Sequence, residues 1–188
     1  MAINLEQTGL ADEKGPDDAF ERVFLAMWPR IHATLTRLVG DADEAEDLAL
    51  EAFWRLYRRP PRDRDGGVGG WLYRVAMNLG FNALRARRRR QGYETAGGQA
   101  WIDETAASGP DAAAADRARS AQVRATLAAL SERDGQVLML RYSGYSYQEI
   151  AEALKVAPGS VGTLLARAEA AFETQWHRQE DQDGGFRR

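Results

Sequence analysis

Apolar residues along this chain recur at helical spacing, and no stretch alternates as a strand would. From Asp17 the stripe runs Phe20, Val23, Phe24, Met27, Ile31, Leu35 and Leu38, and Gly40 ends it. Pro29 lies inside this helix and predicts a kink or restart, because proline lacks the backbone donor. Asp41 and Glu44 can cap a second helix, with Ala45, Leu48, Ala49, Ala52, Phe53, Leu56 and Tyr57 inward and Glu44, Asp47, Glu51 and Arg55 on the opposite face. Arg59, Pro60 and Pro61 stop it, and a glycine-rich loop over 62–70 follows. A third helix is predicted over about 70–90, with Trp71, Leu72, Val75, Ala76, Leu79 and Ala83 inward. Residues 91–118 are rich in alanine, glycine and acid and read as a linker, helical from about Asp111. Val123, Leu127 and Leu130 then mark an alanine-dominated helix. Ser131 and Asp134 can cap the next, whose core is Val137, Leu138, Leu140 and either Met139 or Tyr142, with Gly144 as its end.

The stretch 131–176 organises the rest. Ser146 and Glu149 have the spacing of a capping box, and Ile150, Ala151 and Leu154 follow as a short stripe. Pro158 and Gly159 punctuate a turn. A second stripe of Val161, Leu164, Leu165, Ala168 and Phe172 leaves Ser160, Gly162, Thr163, Ala166 and Arg167 outward. Two helices at this spacing fit a helix-turn-helix, whose outward face would lie in the DNA major groove; on spacing alone they fit a helical bundle equally well. The expected fold is all-α: two small helical domains, 17–92 and 116–176, joined by a linker over 93–115. The stretches 1–16 and 177–188 are expected to be loose tails.

Composition narrows the function. The 188 residues carry a net charge of −3, which alone argues against nucleic acid. The distribution reverses that impression. Residues 1–53 carry 4 basic and 12 acidic side chains, and residues 54–90 carry 11 arginines against 2 aspartates. Segregation of this size suggests two different partners. The carboxylates also fit a solvated first turn that suits the helix dipole, and the arginines 87–90 a helix C-terminal cap. Four consecutive arginines exceed what a cap needs and point to phosphate. There is no cysteine, and the two histidines, His32 and His177, lie far apart, so no metal or other cofactor is expected. The glycine-rich loop lacks the Lys-Ser/Thr ending of a phosphate loop. With no nucleophile–base pair either, an enzyme is not expected. No long apolar run predicts a membrane span, and the acidic start is unlike a signal peptide, so a cytoplasmic protein is expected.

Three segments, in order, resemble the extracytoplasmic-function (ECF) group of bacterial RNA polymerase sigma factors. AEDLALEAFWRLY (45–57) is similar to that group's A-E-D-L-V-Q-E-V-F helix. WLYRVAMNLGFNALRARRRR (71–90) is similar to W-L-x-x-I-A-x-N-x-x-x-D-x-x-R-R. LSERDGQVLMLRYSGYSYQEIAEALKVAPGSVGTLLARA (130–168) is similar to the group's helix-turn-helix segment. The resemblance spans about 20–176 and makes the domains sigma region 2 and sigma region 4. It implies that Asp47, Leu48, Glu51 and Phe53 bind the clamp helices of the polymerase beta-prime subunit. Asn78, Asn82, Arg85, Arg88 and Arg89 would contact the promoter −10 element, and Tyr147, Ser160, Thr163 and Arg167 the −35 element. Arginines would hold phosphates, which positions without reading sequence, and the asparagine amides could read base edges. The loop over 62–69 would capture a flipped base. Further implied partners are the beta flap of core polymerase and a dedicated anti-sigma factor.

The departures are specific. Leu50 stands where glutamine is usual, Asn82 where aspartate is commonest, and Gly162 and Leu164 where lysine and arginine are usual in the recognition helix. Two missing cations weaken phosphate attraction at −35. A stand-alone regulator sharing the helix-turn-helix is the competing reading; residues 45–90 speak against it, because such a regulator does not need them.

Overall fold

The computed structural model describes residues 16–61, 67–96 and 111–184, and among these every element is helical. The helices are α1 (Pro16–Val39), α2 (Ala42–Arg58), α3 (Gly67–Ala96), α4 (Asp111–Ala129), α5 (Glu132–Tyr142), α6 (Tyr147–Leu154) and α7 (Val161–Gly184), with a single 3-10 turn at Pro158–Ser160 before α7.

The local signals act as their chemistry requires. Asp41 accepts the Glu44 amide at the start of α2, and Ser131 accepts that of Asp134 at the start of α5. Ser146 and Glu149 form the full capping box at α6. Gly144, with φ of 83°, makes the turn after α5. Lys155 takes the left-handed conformation that ends α6. Met139 is buried and Tyr142 exposed, which decides between them.

Helices α1, α3 and α7 differ from expectation. Pro29 does not break α1, which runs unbroken. Pro29 and Leu25, the residue whose carbonyl loses its partner, are both exposed, so water can serve that carbonyl. Helix α3 begins at Gly67 and ends at Ala96, taking in part of the expected glycine loop and the first residues of the expected linker. Helix α4 starts at Asp111, where the sequence predicts the helical part of the linker to begin. Helix α7 continues past Trp176 to Gly184. Polar pairs one turn apart support that extension: Trp176 Nε1 donates to Glu180 (2.9 Å), Glu180 pairs with His177 (3.1 Å), and Gln179 accepts from Thr126 Oγ1 on α4 (2.7 Å). Trp101, Ile102 and residues 62–66 lie outside the described residues.

Helix α3 sits at the centre. It packs on α1 and α2 on one side and on α5 and α6 on another, while α4 also touches it and α7 closes on α4 and α5. Leu72 and Ala76 are buried as the stripe predicts, but so are Tyr73, Met77, Phe81 and Leu84. A helix covered on two sides carries two apolar stripes, and a one-stripe reading finds only the first. The two sets of helices therefore share one hydrophobic core.

Two glycines permit the close approach between them. A Cβ on Gly70 would lie 2.9 Å from Glu152 Cβ and 3.0 Å from its carbonyl carbon, and one on Gly135 would lie 2.6 Å from the buried Phe81 ring. Around these contacts α1 and α6 are joined by a polar–aromatic cluster. Arg30 donates to Glu149 Oε1 (2.5 Å), and its guanidinium stands 4.1 Å from the centroid of the buried Tyr145 ring. Tyr145 meets Tyr73 edge-on at 4.4 Å, and its hydroxyl lies 3.3 Å from Thr34 Oγ1. Burial pushes the Glu149 carboxyl up, but hydrogen bonds from Arg30 and from the Ser146 amide and hydroxyl outweigh it, so the group titrates below its ordinary value.

A depressed carboxylate stabilises the fold above its unfolded pKa, and that contribution is lost as pH falls through the folded value. The urea midpoint is therefore expected to fall on acidification below about 4.5, the ordinary glutamate value, and Glu149→Gln should flatten that part of the profile. Identical profiles for the two proteins would contradict the pairing of Arg30 with Glu149.

Candidate promoter and polymerase surfaces

Helix α2 carries its carboxylates outward because Ala45, Ala49, Ala52, Phe53 and Leu56 are buried on its other side. Asp47 is exposed, Leu48 is half-buried, and Glu51 accepts from Arg55 Nε (2.7 Å) one turn away. Phe53 does not belong with them. It is 1% exposed and packs 4.8 Å from Phe24, 5.8 Å from Trp28 and edge-on to Phe20. Its place in the motif reflects core packing, so the assignment of Phe53 to polymerase binding is corrected. The large apolar side chains that face solvent on α2 are Leu50 (46% exposed), Trp54 (53%) and Tyr57 (51%). Leu50 and Trp54 lie one turn and two turns along from Asp47, so the carboxylate edge continues into an apolar one. Trp54 and Tyr57 stack at 5.9 Å. Exposure on a helix is what sequence spacing could have supplied for Leu50 and Trp54, since both fall off the inward stripe.

Helix α3 holds the arginine-rich end. Asn82, Arg88, Arg89 and Arg90 are exposed. Arg87 turns back, donating to the Val39 carbonyl (3.0 Å) and to Glu44 on α2 (2.5 Å). The acidic and basic sets thus touch at one pair, while Asp47, Arg88 and Arg89 remain open to an outside partner.

The two other residues assigned to −10 are engaged by α5. The Asn78 amide meets that of Gln136 at 2.5 Å. Turned over, its nitrogen also reaches Glu132 Oε1 at 2.9 Å and the Arg74 carbonyl at 3.3 Å. Arg85 donates to Glu132 Oε2 at 3.5 Å and lies 5.7 Å from the Phe81 ring centroid. No local signal at Asn78 or Arg85 announces this: the partners are 58 and 47 residues further along the chain.

On the helix-turn-helix, Tyr147, Ser160 and Thr163 are exposed. Arg141 stands 5.6 Å from the Tyr147 ring centroid. Arg167 is more than half exposed, yet its Nε and Nη2 both donate to Asp134 Oδ1, at 3.1 and 2.6 Å. The Ser131 hydroxyl donates to the other carboxylate oxygen at 2.6 Å. Burial pushes the Asp134 carboxyl up, and the bonds from Ser131 and Arg167 bring it below its ordinary value. Arg167 therefore ties α7 to the start of α5, leaving Thr163 on the outward face of α7 and Ser160 in the turn just before it. Gly162 has room for a side chain: a Cβ there would meet only the Tyr147 ring, at 3.9 Å. Between α4, α5 and α7 lies an open, mostly apolar groove of about 590 Å³, lined by Val123, Leu127, Leu138, Met139, Tyr142, Glu169 and Phe172. Among the described residues, no three His, Cys, Asp or Glu side chains are grouped to hold a metal ion.

Comparison with known proteins agrees with this layout. Residues 17–90 match Sigma-70 region 2, and residues 120–172 match Sigma-70, region 4. The RNA polymerase sigma-H factor of Pseudomonas aeruginosa is 32% identical over 86% of this chain and 88% of its own. The ECF RNA polymerase sigma factor SigW of Bacillus subtilis is 31% identical over 87% and 91%. A solved structure of the sigma factor RpoE with the anti-sigma factor NepR from Bartonella quintana is 18% identical, covers 84% of this chain and 96% of that one, and superposes with a TM-score of 0.47. Helices α1–α3 thus carry region 2 and α4–α7 region 4, and the chain belongs to the ECF group of RNA polymerase sigma factors, which bind core polymerase and direct promoter recognition and transcription initiation.

Proposed function

We propose that α2 docks on the polymerase clamp helices through Asp47, Leu48 and Glu51, with Leu50 and Trp54 extending the contact. Helix α3 takes the −10 element through Asn78, Asn82, Arg85, Arg88 and Arg89. Tyr147, Ser160 and Thr163 take the −35 element, with Arg167 acting through its hold on α5. The observation that carries this reading is the placement of charge: exposed carboxylate on α2 and exposed guanidinium at the far end of α3, on one helical bundle. The apolar groove between α4, α5 and α7 suits an amphipathic element of the beta flap. No described helix is long and apolar enough to cross a membrane. We place the protein in the cytoplasm, with its polymerase, as a subunit that performs no chemistry of its own. An anti-sigma factor is a partner that the apolar edge of α2 and the groove could both serve.

Helix α5 covers part of the −10 face. Asn78 and Arg85 cannot pair with Gln136 and Glu132 and with DNA at once. Promoter reading by α3 therefore requires α5, and with it region 4, to move away. Polymerase binding can supply the free energy only by favouring the opened chain over the closed one.

Charge reversal by Asp47→Lys and Glu51→Lys should reduce core binding by at least tenfold while the far-ultraviolet circular dichroism stays unchanged; wild-type affinity of the double variant for core would remove α2 as the docking helix. For the phosphate contacts, Arg88→Ala with Arg89→Ala should lower the slope of log K against log salt for promoter binding by about 2, near one unit per contact. An unaltered slope would take both side chains off the DNA. The third outcome concerns the cover: Glu132→Ala with Gln136→Ala should strengthen binding of a −10 oligonucleotide to the free protein severalfold. No gain, or a loss, would show that α5 does not compete with DNA.

A further inference from the structure

A second basic site lies away from the reading faces, where the end of α1 meets α4. Thr36, Arg37, Arg119, Ser120, Val123 and Arg124 line an open cavity of about 350 Å³. Arg124 is half-buried, and its guanidinium lies across Gly40, where a Cβ would stand 2.5 Å from its Cζ. Gly40 has φ of 79°, so glycine both makes the turn after α1 and leaves the surface on which the guanidinium rests.

The charges here are not balanced. Among the described residues no hydrogen bond or ion pair ends on Arg37, Arg119 or Arg124. Arg87, close enough to act on Arg124 electrostatically, already has its carboxylate in Glu44. The neighbouring carboxylate Asp41 caps α2. Burial and, after it, the charge of Arg87 make the cationic form of Arg124 harder to hold. A half-buried guanidinium without a carboxylate partner is favoured when an anion joins it. Guanidinium groups present forked N–H donors that match phosphate oxygens. The exposed Ser120 hydroxyl adds a donor, whereas Thr36 already gives its proton to the His32 carbonyl (2.9 Å).

We propose that the arginine-lined cavity between α1 and α4 binds a phosphate group and, by bridging Arg37 of region 2 to Arg119 and Arg124 of region 4, holds the two regions closed. The phosphate comes either from a small free anion or from a DNA backbone. Because an anion bound only in the closed chain adds to the stability of that form, its binding opposes the opening that promoter reading needs. Binding at this cavity rests on the closed packing but not on which helix reads which promoter element, so a failure here leaves the −10 and −35 assignments standing.

The test titrates the full chain with sodium diphosphate by calorimetry at low salt, and in parallel with a short non-promoter duplex by fluorescence anisotropy. Arg37→Gln with Arg119→Gln is the main variant, because both side chains are exposed and their loss leaves the core intact. Arg124→Gln is the second variant, and Arg22→Ala with Arg133→Ala, at exposed arginines away from the cavity and from the promoter surfaces, is the control. Diphosphate is expected to bind one to one, to raise the urea midpoint, and to bind at least tenfold more weakly in either glutamine variant but not in the control. The same tenfold loss in the duplex arm alone would assign the phosphate to DNA. If neither arm distinguishes the glutamine variants from wild type, or if the alanine control loses as much binding as they do, the cavity is not a phosphate site.

Discussion

Burial of α3 on two sides is the constraint from which the rest follows. Its Gly80 lies against Leu35 and Leu38 of region 2, and its Phe81 meets Gly135 of region 4. A helix held this way has only narrow strips left for polar side chains. Asn82 and the arginines 88–90 use the open strip, while Asn78 and Arg85 fall on the strip that α5 covers. The helix proposed to take DNA is thereby also the helix that holds the two regions together, and on that proposal its surface has two competing uses.

The contacts across the seam suit a joint that opens. Much of it is polar and partly solvated: Arg30 with Glu149, Arg85 with Glu132, Asn78 with Gln136. Pairs of this kind fix geometry but contribute little net free energy, since water replaces each bond on opening. Its apolar part includes the Tyr73–Tyr145 contact and the seat of Phe81 on Gly135. By contrast the Asp134–Arg167–Ser131 group lies within region 4, and the Phe20–Phe24–Trp28–Phe53 cluster lies within region 2, so each region keeps its own internal ties when the seam parts.

How much of this the sequence discloses depends on the range of the interaction. Caps at Asp41, Ser131 and Ser146 involve partners three residues away, and each is legible from residue type and spacing. The helix-turn-helix and its outward Ser160 and Thr163 are legible for the same reason. Phe53 shows two signals in conflict: helical spacing places it inward and the motif places it at a partner, and the structure sides with spacing. The second buried stripe of α3, the capture of Asn78 and Arg85, and the tie between Arg167 and Asp134 depend on helices far along the chain, and nothing local encodes them. The extension of α7 to Gly184 was within reach, because the spacing of Trp176, His177 and Glu180 is itself helical.

The most direct measurement is the distance between regions 2 and 4 in solution. The chain has no cysteine, so Ala26→Cys on α1 and Ala170→Cys on α7, both at exposed positions, can carry spin labels for pulsed electron resonance. One narrow distance matching the closed packing is expected for the free protein, replaced by a longer one when core polymerase and promoter DNA are bound. A broad distribution in the free protein, or the same short distance in the promoter complex, would contradict a seam that covers α3 and must open.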